Sequence, residues 1–194
     1  MSNIIQILLE EHRNIDKLLL VLEQELDIFD RSEEPDYEIL QAVIQYFQDY
    51  PEHCHHPKED LVYEKLKARD PAAAARIGDV ETEHHSESLR LRRLVEAVED
   101  SLAGREVLRR TFHDAVSDFI KYQREHMDKE ERLLFPAAVQ RLKPDDWEAI
   151  DARLGDRKDP LFNGTAETKF QALQRTILRW EREAESGRVK VARA

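Results

Sequence analysis

Two short stretches of the sequence place a histidine and a glutamate at a helical spacing. They share the frame H-x-x-K-E-[DE] and occupy residues 55–60 and 126–131. Positions four residues apart lie on one face of a helix, so the first stretch presents His55 beside Glu59, and the second repeats the pair. Imidazole and carboxylate groups bind first-row transition metals. Two such pairs that face each other would make half of a dinuclear metal site.

Two further histidines extend the set, His12 near the start and His84 between the two stretches. In an antiparallel hairpin, two residues at the same height are equally far from the turn that joins their helices. The positions halfway between successive histidines fall on residues 33–35, 70–71 and 104–105, and each contains a turn-forming proline or glycine. The spacing therefore predicts four helices, with one histidine from each in a single layer.

The hydrophobic pattern predicts the helices that position these residues. Apolar side chains recur every three or four residues, as on one face of a helix. Four long helices are expected: one from a Ser2 cap to about residue 30, a second over 36–68, a third from Asp70 and Pro71, and a fourth over 105–142. A short helix at Trp147 follows. A last helix would be capped by Thr165 and would have Phe170, Leu173, Ile177 and Trp180 on one side. Pro51 and Pro57 should bend the second helix, because each removes a backbone hydrogen bond.

The fold predicted from this pattern is all-α. Four long helices joined by short turns favour an antiparallel up-down-up-down four-helix bundle. We expect residues 1–142 to form this metal-binding bundle and residues 143–194 to form a helical extension with a frayed tail from residue 186. The extension would pack on the bundle or join two copies in a homodimer.

The spacing also places both motif glutamates on the same side of the histidine layer. Two buried carboxylates repel each other unless cations lie between them, and four imidazoles with two carboxylates suit iron, manganese or zinc. The predicted ligands are His12, His55, Glu59, His84, His126 and Glu130. If each metal takes two histidines and both glutamates bridge, room remains for a solvent-derived bridge and an exogenous molecule.

Five other residues have alternative roles near the layer. His56 and His85 compete as ligands with the histidines before them, because the spacing does not resolve one residue; otherwise they would lie behind the ligands. Glu81, one turn before the third histidine, is either a seventh ligand or a solvated glutamate. Tyr122 is either a hydrogen-bond donor to a bound oxygen species or a core aromatic, and Ser88 would line the same side.

Together these motifs resemble those of the hemerythrin-like family, whose HHE-type domains bind cations in a four-helix bundle. The His12 block, His84 and the two repeated stretches match its motif positions in order and spacing over roughly residues 1–142. The resemblance implies two non-haem iron ions with an oxo or hydroxo bridge. It also implies a small ligand: dioxygen, nitric oxide or peroxide.

Two positions differ from the oxygen-carrying members of that family. Those members have two histidines four residues apart on the third helix, whereas Val80 and Ser88 stand at that distance from His84. They also have an aspartate five residues after the last histidine, whereas Glu130 comes after four. The four-histidine, two-glutamate set is more similar to members involved in iron–sulfur cluster repair, although their cysteine-bearing N-terminal region has no counterpart before His12.

The sequence therefore favours a non-haem di-iron protein that binds or reduces a small oxidant. One alternative is an iron, oxygen or redox sensor that signals through the C-terminal helices. Another is a site that holds zinc or manganese for structural reasons.

The composition restricts the partners. The formal net charge of −11 argues against nucleic acid and against anionic membrane, since both attract basic patches. No apolar run approaches the ~20 residues that a membrane span needs. The single cysteine, Cys54, excludes an internal disulfide and fits a reducing compartment, so we expect the cytoplasm.

Overall fold

The computed structural model describes residues 4–105, 108–154, 159–162, 164, 166–179 and 182. Over these residues the chain is all-α, without a β-strand. The α-helices are α1 (Ile4–Asp30), α2 (Tyr37–Asp49), α3 (His56–Arg69), α4 (Pro71–Ile77), α5 (Val80–Leu102), α6 (Arg109–Lys129), α7 (Phe135–Arg141) and α8 (Pro144–Asp151), followed by a 3₁₀ turn (Thr168–Phe170) and a helical segment over 171–179. The predicted caps Ser2 and Thr165, Trp180 and the tail from residue 186 lie outside the described residues.

Side-chain caps begin several of these helices where the sequence has short acidic residues. The Asp36 carboxylate accepts hydrogen bonds from the first turn of α2, and the Asp70 carboxylate accepts one from the backbone N–H of Ala73 at 2.9 Å. Pro71 follows as the first residue of α4, where its missing N–H costs nothing. The predicted cap at Asp70 and Pro71 is confirmed.

The predicted third helix is wrong in one respect, because it is divided in two. α4 ends at Gly78, which has φ 96° and ψ −165°, a conformation that essentially only glycine adopts. Asp79 then caps α5 by accepting a hydrogen bond from the Thr82 backbone N–H at 3.3 Å. The break restarts the helix shortly before His84.

Two π-helical turns interrupt the second and fourth helical stretches. They span Pro51–His55 and Glu130–Leu134, and the residue after each donates its N–H to the carbonyl five residues back. Pro57 and Pro136 each follow two residues after such a turn. A proline ring clashes with the carbonyl four residues before it, and the wider turn relieves this clash. The bend expected near Pro57 is therefore a π turn, and the turn before Pro136 was not predicted.

The buried apolar side chains form two clusters, with the predicted ligands between them. The first core cluster includes Ile15, Leu19, Phe47, Leu94 and Phe119. The second includes Ile4, Leu8, Val62, Leu66 and Leu134. In α1, His12 lies between Leu8 of one cluster and Ile15 of the other, so the polar layer crosses the middle of the fold.

The described part of the C-terminal extension contacts both clusters. Ile150 of α8 is fully buried in the second cluster, and Leu161, Phe170 and Leu173 are fully buried in the first. The boundary at residue 142 and dimerisation stay predictions. No described helix is both long and apolar enough to cross a membrane.

Candidate metal centre

Glu59 is the meeting point of three of the four predicted histidine ligands. Its Oε1 lies 3.0 Å from His12 Nε2 and 3.2 Å from His55 Nε2. Its Oε2 lies 3.4 Å from His84 Nε2. The carboxylate is fully buried, so its two oxygens bridge histidines from α1, from the first π turn and from α5.

Glu130 occupies the equivalent place in the other half of the layer. Its Oε1 lies 3.4 Å from His126 Nε2 and 3.9 Å from His84 Nε2, and its Oε2 lies 3.5 Å from His12 Nε2. All four histidines thus direct Nε2 toward the two glutamates. Within the described residues, two buried sets have ligand atoms close enough to hold an ion: His12, His55 and Glu59, and Glu59, His84, His126 and Glu130.

Several of these polar atoms have no hydrogen-bond partner although they are buried. They are Oε2 of Glu59, Nε2 of His84 and His126, and both carboxylate oxygens of Glu130. Buried polar groups are nearly always paired, because leaving one unpaired costs about 1–3 kcal/mol. The converging unpaired oxygens and imidazole nitrogens fit bound cations.

Each histidine also has a carboxylate on its other ring nitrogen, Nδ1. The distances are 2.9 Å for His12 to Glu131, 2.9 Å for His55 to Glu11, 3.1 Å for His84 to Asp60 and 3.1 Å for His126 to Glu83. A carboxylate hydrogen-bonded there holds the proton on Nδ1, leaves Nε2 free for a metal and makes the imidazole a stronger donor. His12, His55 and His126 have this hydrogen bond, whereas Asp60 lies within ion-pair distance of His84 without hydrogen-bond geometry. A carboxylate beside Nδ1 of all four histidines is typical of metal ligands.

The repeated frame H-x-x-K-E-[DE] now has a contact for each residue. The lysine of each frame pairs with the carboxylate that holds the histidine of the same frame: Lys58 with Glu11, and Lys129 with Glu83. The final acidic residue instead reaches a histidine of the other half. Sequence reasoning missed these outer carboxylates and lysines, although the shared lysine and acidic positions, and a glutamate before both His12 and His84, were visible signals.

A protein-family model described as the hemerythrin HHE cation binding domain matches residues 3–138. The chain belongs to this family. Comparisons with curated proteins and with solved structures gave no match.

The electrostatics of this hemerythrin-family site favour cations. Burial alone would lower the pKa of His55, but Glu59 and Glu11 outweigh it and raise this pKa to about 10. The pKa of His84 rises to about 12 against the same effect of burial, because the nearby carboxylates of Asp60, Glu130 and Glu59 favour the protonated ring. Burial and the charge of Glu59 raise the pKa of Glu130. Where no metal is bound, protons on the imidazoles balance the carboxylates.

His56 lies beside the hemerythrin-family centre and faces a different carboxylate. Its Nε2 is 3.2 Å from Glu87 Oε2, and its ring stacks on that of His84 at 4.2 Å between centroids. Burial would raise the pKa of Glu87, but His56 outweighs this and lowers it to about 2. The structure thus directs His55 rather than His56 toward Glu59.

Glu81 and His85 are both exposed, so the structure does not bring either side chain to the centre. Glu81 lies one turn before His84, as predicted, but its side chain faces solvent because α5 turns this face outward. Glu83, two residues later, is the carboxylate that reaches the site.

Ser88 and Tyr122 lie beside the histidine layer, and their hydroxyl groups bond protein atoms there. The Ser88 hydroxyl lies 2.9 Å from the Glu52 carboxylate and 3.2 Å from the backbone carbonyl of His84, and both contacts are hydrogen bonds. The Tyr122 ring stacks near His126, with centroids 6.4 Å apart, but its hydroxyl donates to the backbone carbonyl of Glu83 at 3.0 Å. This bond uses the proton that donation to a bound oxygen species, one of the two alternatives for Tyr122, would require.

Proposed function

We propose that this protein holds two iron ions between Glu59 and Glu130 and binds or reduces a small oxidant there. The oxidant would be dioxygen, nitric oxide or peroxide. The observation that supports this most strongly is the carboxylate on Nδ1 of every one of the four histidines, combined with four Nε2 atoms that face two buried glutamates.

The charge of the site supports a pair of divalent ions. Two ligand carboxylates and four outer carboxylates face two lysines, which leaves four negative charges around the layer. Two divalent ions would neutralise them. Two ferric ions with an oxo bridge carry the same total charge, so oxidation would not require a new counter-ion.

Iron supplies one-electron redox chemistry when it is bound, and the protein supplies the surroundings. The four outer carboxylates fix the orientation of the imidazole ligands and increase their basicity. On the side of the first core cluster, Ile15, Leu19, Phe47 and Phe119 are buried and exclude water. The Phe47 and Phe119 rings pack edge to face with centroids 4.9 Å apart. A small apolar molecule would meet this surface as it approaches the metal pair.

Reactivity rather than oxygen transport is favoured by the residues around His84. Val80 and Ser88 stand four residues from His84, where the oxygen carriers have a second histidine on this helix. Val80 is buried in the second core cluster and Ser88 bonds Glu52, so neither position supplies a further imidazole to the metal pair. The six protein ligands, shared between two irons, leave coordination positions for an exogenous molecule.

The deciding experiment is metal analysis with visible spectroscopy. The chain, loaded with ferrous iron without air, should contain about two irons and should develop charge-transfer bands on exposure to oxygen, nitric oxide or peroxide. His126→Ala should lose iron. His113→Ala should keep it, because His113 is an exposed histidine that bonds Asp30. A purified chain that holds only zinc and has no colour would contradict the proposal.

A second candidate function is redox sensing through the C-terminal helices. It is favoured by the Tyr46 hydroxyl, which donates to Asp159 of the extension at 2.8 Å. Turnover of peroxide or nitric oxide would favour an enzyme, and binding without turnover would favour a sensor.

We also propose the finer architecture and the location. The antiparallel four-helix topology is supported by short turns and by the packing of α5 on α2 and α6, and of α1 on α6. A cytoplasmic location is supported by the single cysteine, Cys54.

A further inference from the structure

Two buried tyrosines lie in series between the metal centre and the C-terminal extension. The Tyr50 hydroxyl donates to Glu11 Oε1 at 2.7 Å, and the other oxygen of Glu11 is 2.9 Å from His55 Nδ1. The Tyr50 ring lies 5.7 Å from the Tyr46 ring, between centroids. The Tyr46 hydroxyl in turn donates to Asp159 Oδ2 at 2.8 Å. A continuous path of contacts therefore joins a predicted metal ligand to residue 159.

The hydrogen-bond acceptors distinguish this pair from other tyrosines of the chain. Tyr63 and Tyr122 donate to the backbone carbonyls of Gly78 and Glu83. Tyr46 and Tyr50 donate to carboxylates, and both rings are almost fully buried. A carboxylate can accept a proton completely, whereas a peptide carbonyl cannot do so near neutral pH.

This difference matters for the oxidation of a phenol. A tyrosine that loses an electron becomes a strong acid, so its proton must pass to a base already within hydrogen-bond distance. Burial, and the negative charge of Glu11, raise the pKa of Tyr50, so the hydroxyl keeps its proton until an electron leaves. Burial and Asp159 have the same effect on the pKa of Tyr46.

We propose that Tyr50 and Tyr46 form a redox relay that gives electrons to the metal pair and moves the oxidising equivalents of a peroxide outward as far as Tyr46, beside the extension. Glu11 and Asp159 are the proton acceptors. This role depends on the proposed iron centre and goes beyond it, because it assigns redox chemistry to side chains that do not bind metal.

The electrons, protons and bonds balance with peroxide as the oxidant. Reduction of one peroxide to two waters requires two electrons and two protons. Tyr50 gives the first electron toward the metal pair, and its O–H bond breaks as the proton passes to Glu11. Tyr46 then reduces Tyr50, which regains its proton from Glu11, while the Tyr46 proton passes to Asp159. When Tyr50 gives the second electron, its proton passes to Glu11 again. Both tyrosines are then neutral radicals, and solvent supplies the protons of the two waters.

Among the described residues, the relay starts from one half of the centre and has no counterpart in the other half. Glu83 is the counterpart of Glu11 in the other half, and its carboxylate bonds His126 and Lys129. Tyr122 donates to the Glu83 backbone instead of that carboxylate. The half-site of His12 and His55 is therefore the one connected to the relay.

The test is electron paramagnetic resonance of the iron-loaded full chain, freeze-quenched after hydrogen peroxide is added. We expect an organic radical signal that becomes narrower when the protein contains ring-deuterated tyrosine. Tyr50→Phe should lose the signal. Tyr46→Phe should confine the radical to Tyr50, and Asp159→Asn should do the same, because the amide that replaces Oδ2 no longer accepts the Tyr46 proton. Tyr122→Phe is the matched control and should keep the wild-type signal.

Iron content and the visible bands, measured on the same samples, separate this proposal from the function on which it rests. If the bands form but the wild-type protein gives no tyrosyl radical, or Tyr50→Phe keeps it, the relay is wrong and the iron centre stands. If no iron binds, both proposals fail. Circular dichroism of each variant shows whether a lost signal reflects a lost fold, and Asp159→Asn tests the relay with both tyrosines intact.

Discussion

At the scale of single residues, the centre depends on side chains that contact the histidines rather than the metals. Glu11 is the clearest case, since it bonds His55, Lys58 and Tyr50 at once. Burial would raise the pKa of Glu11, but His55 and Lys58 outweigh this and lower it. Glu11 is therefore negatively charged while Tyr50 keeps its proton, and it fixes the ring of His55.

Replacement of Glu11 by glutamine should weaken metal binding by roughly 10–100-fold, the usual effect of losing the partner of a histidine ligand. Competition with a chelator of known affinity measures this for Zn²⁺ and Fe²⁺. Glu10→Gln is the matched control, because the exposed Glu10 pairs only with exposed Arg13 on the surface in the described contacts. Equal affinities for the two variants would show that Glu11 does not support His55.

Alanine replacements of His84 and His85 should have opposite outcomes. His84→Ala should bind fewer metal ions per chain, since Nε2 of His84 faces both glutamates, whereas His85→Ala should keep the full number because its side chain is exposed. Elemental analysis of the two purified variants provides the measurement. A loss of metal from His85→Ala alone would reverse the assignment of the neighbouring histidines.

At the scale of helices, short interruptions determine which way the ligands point. The first π turn ends at His55 and the second begins at Glu130, so an extra residue is inserted next to a predicted ligand in each case. An extra residue rotates the following side chains about the helix axis. Gly78 has a similar effect before His84, because it lets α5 start in a new direction.

Gly78→Ala should lower the free energy of unfolding by about 1–3 kcal/mol, because its backbone conformation excludes a side chain. The added Cβ would also lie 3.3 Å from Lys129 Nζ and would disturb its pairing with Glu83, so metal affinity should fall too. Gly104→Ala is the control, since its φ is also positive but nothing lies within 4 Å. Chemical denaturation and metal titration of both variants test this, and a normal metal affinity for Gly78→Ala would contradict the second part.

At the scale of the whole molecule, a charged layer separates two apolar clusters. The six predicted ligands are buried and ionisable, and they interrupt what would otherwise be a continuous core. Such a layer is costly unless cations compensate it. Metal binding should therefore contribute directly to the stability of the folded chain.

Removal of the metal with a chelator should lower the unfolding temperature. A ligand at a thousand times its dissociation constant stabilises the folded state by about 4 kcal/mol, and that stabilisation disappears with the metal. Differential scanning calorimetry with and without added iron or zinc measures the effect. The His84→Ala chain should respond much less to the chelator, and an equal response would place the stabilising metal elsewhere.

A chain that ends at Arg141 should be less stable than the full chain. Without the extension, Tyr46 would be exposed and the first core cluster would lack Phe170 and Leu173. The free energy of unfolding should fall by at least about 3 kcal/mol. Chemical denaturation gives the difference in free energy. The solution mass of both chains tests the alternative. If stability is unchanged, and the full chain is a dimer whereas the shorter chain is a monomer, the extension joins two copies instead.

The sequence by itself determined the family, the all-α class, the approximate outer ends of the long helical stretches and the six residues that meet in one layer. These follow from local spacing: an i, i+4 pair lies on one face of any helix, and the turns at residues 33–35, 70–71 and 104–105 fix which residues share a height. The break at Gly78 and the π turns escaped prediction, because hydrophobic periodicity hardly changes when one residue is added or a helix restarts.

Only the tertiary structure decided which carboxylate faces which imidazole. Glu131 reaches His12 and Asp60 reaches His84 across different helices, while Glu81, with equally suitable spacing, points to solvent. The contact of Tyr46 with Asp159 likewise joins residues far apart in the chain. Such contacts depend on how packed helices are rotated about their axes, and that rotation is fixed by the packing of both apolar clusters together rather than by any one stretch of sequence.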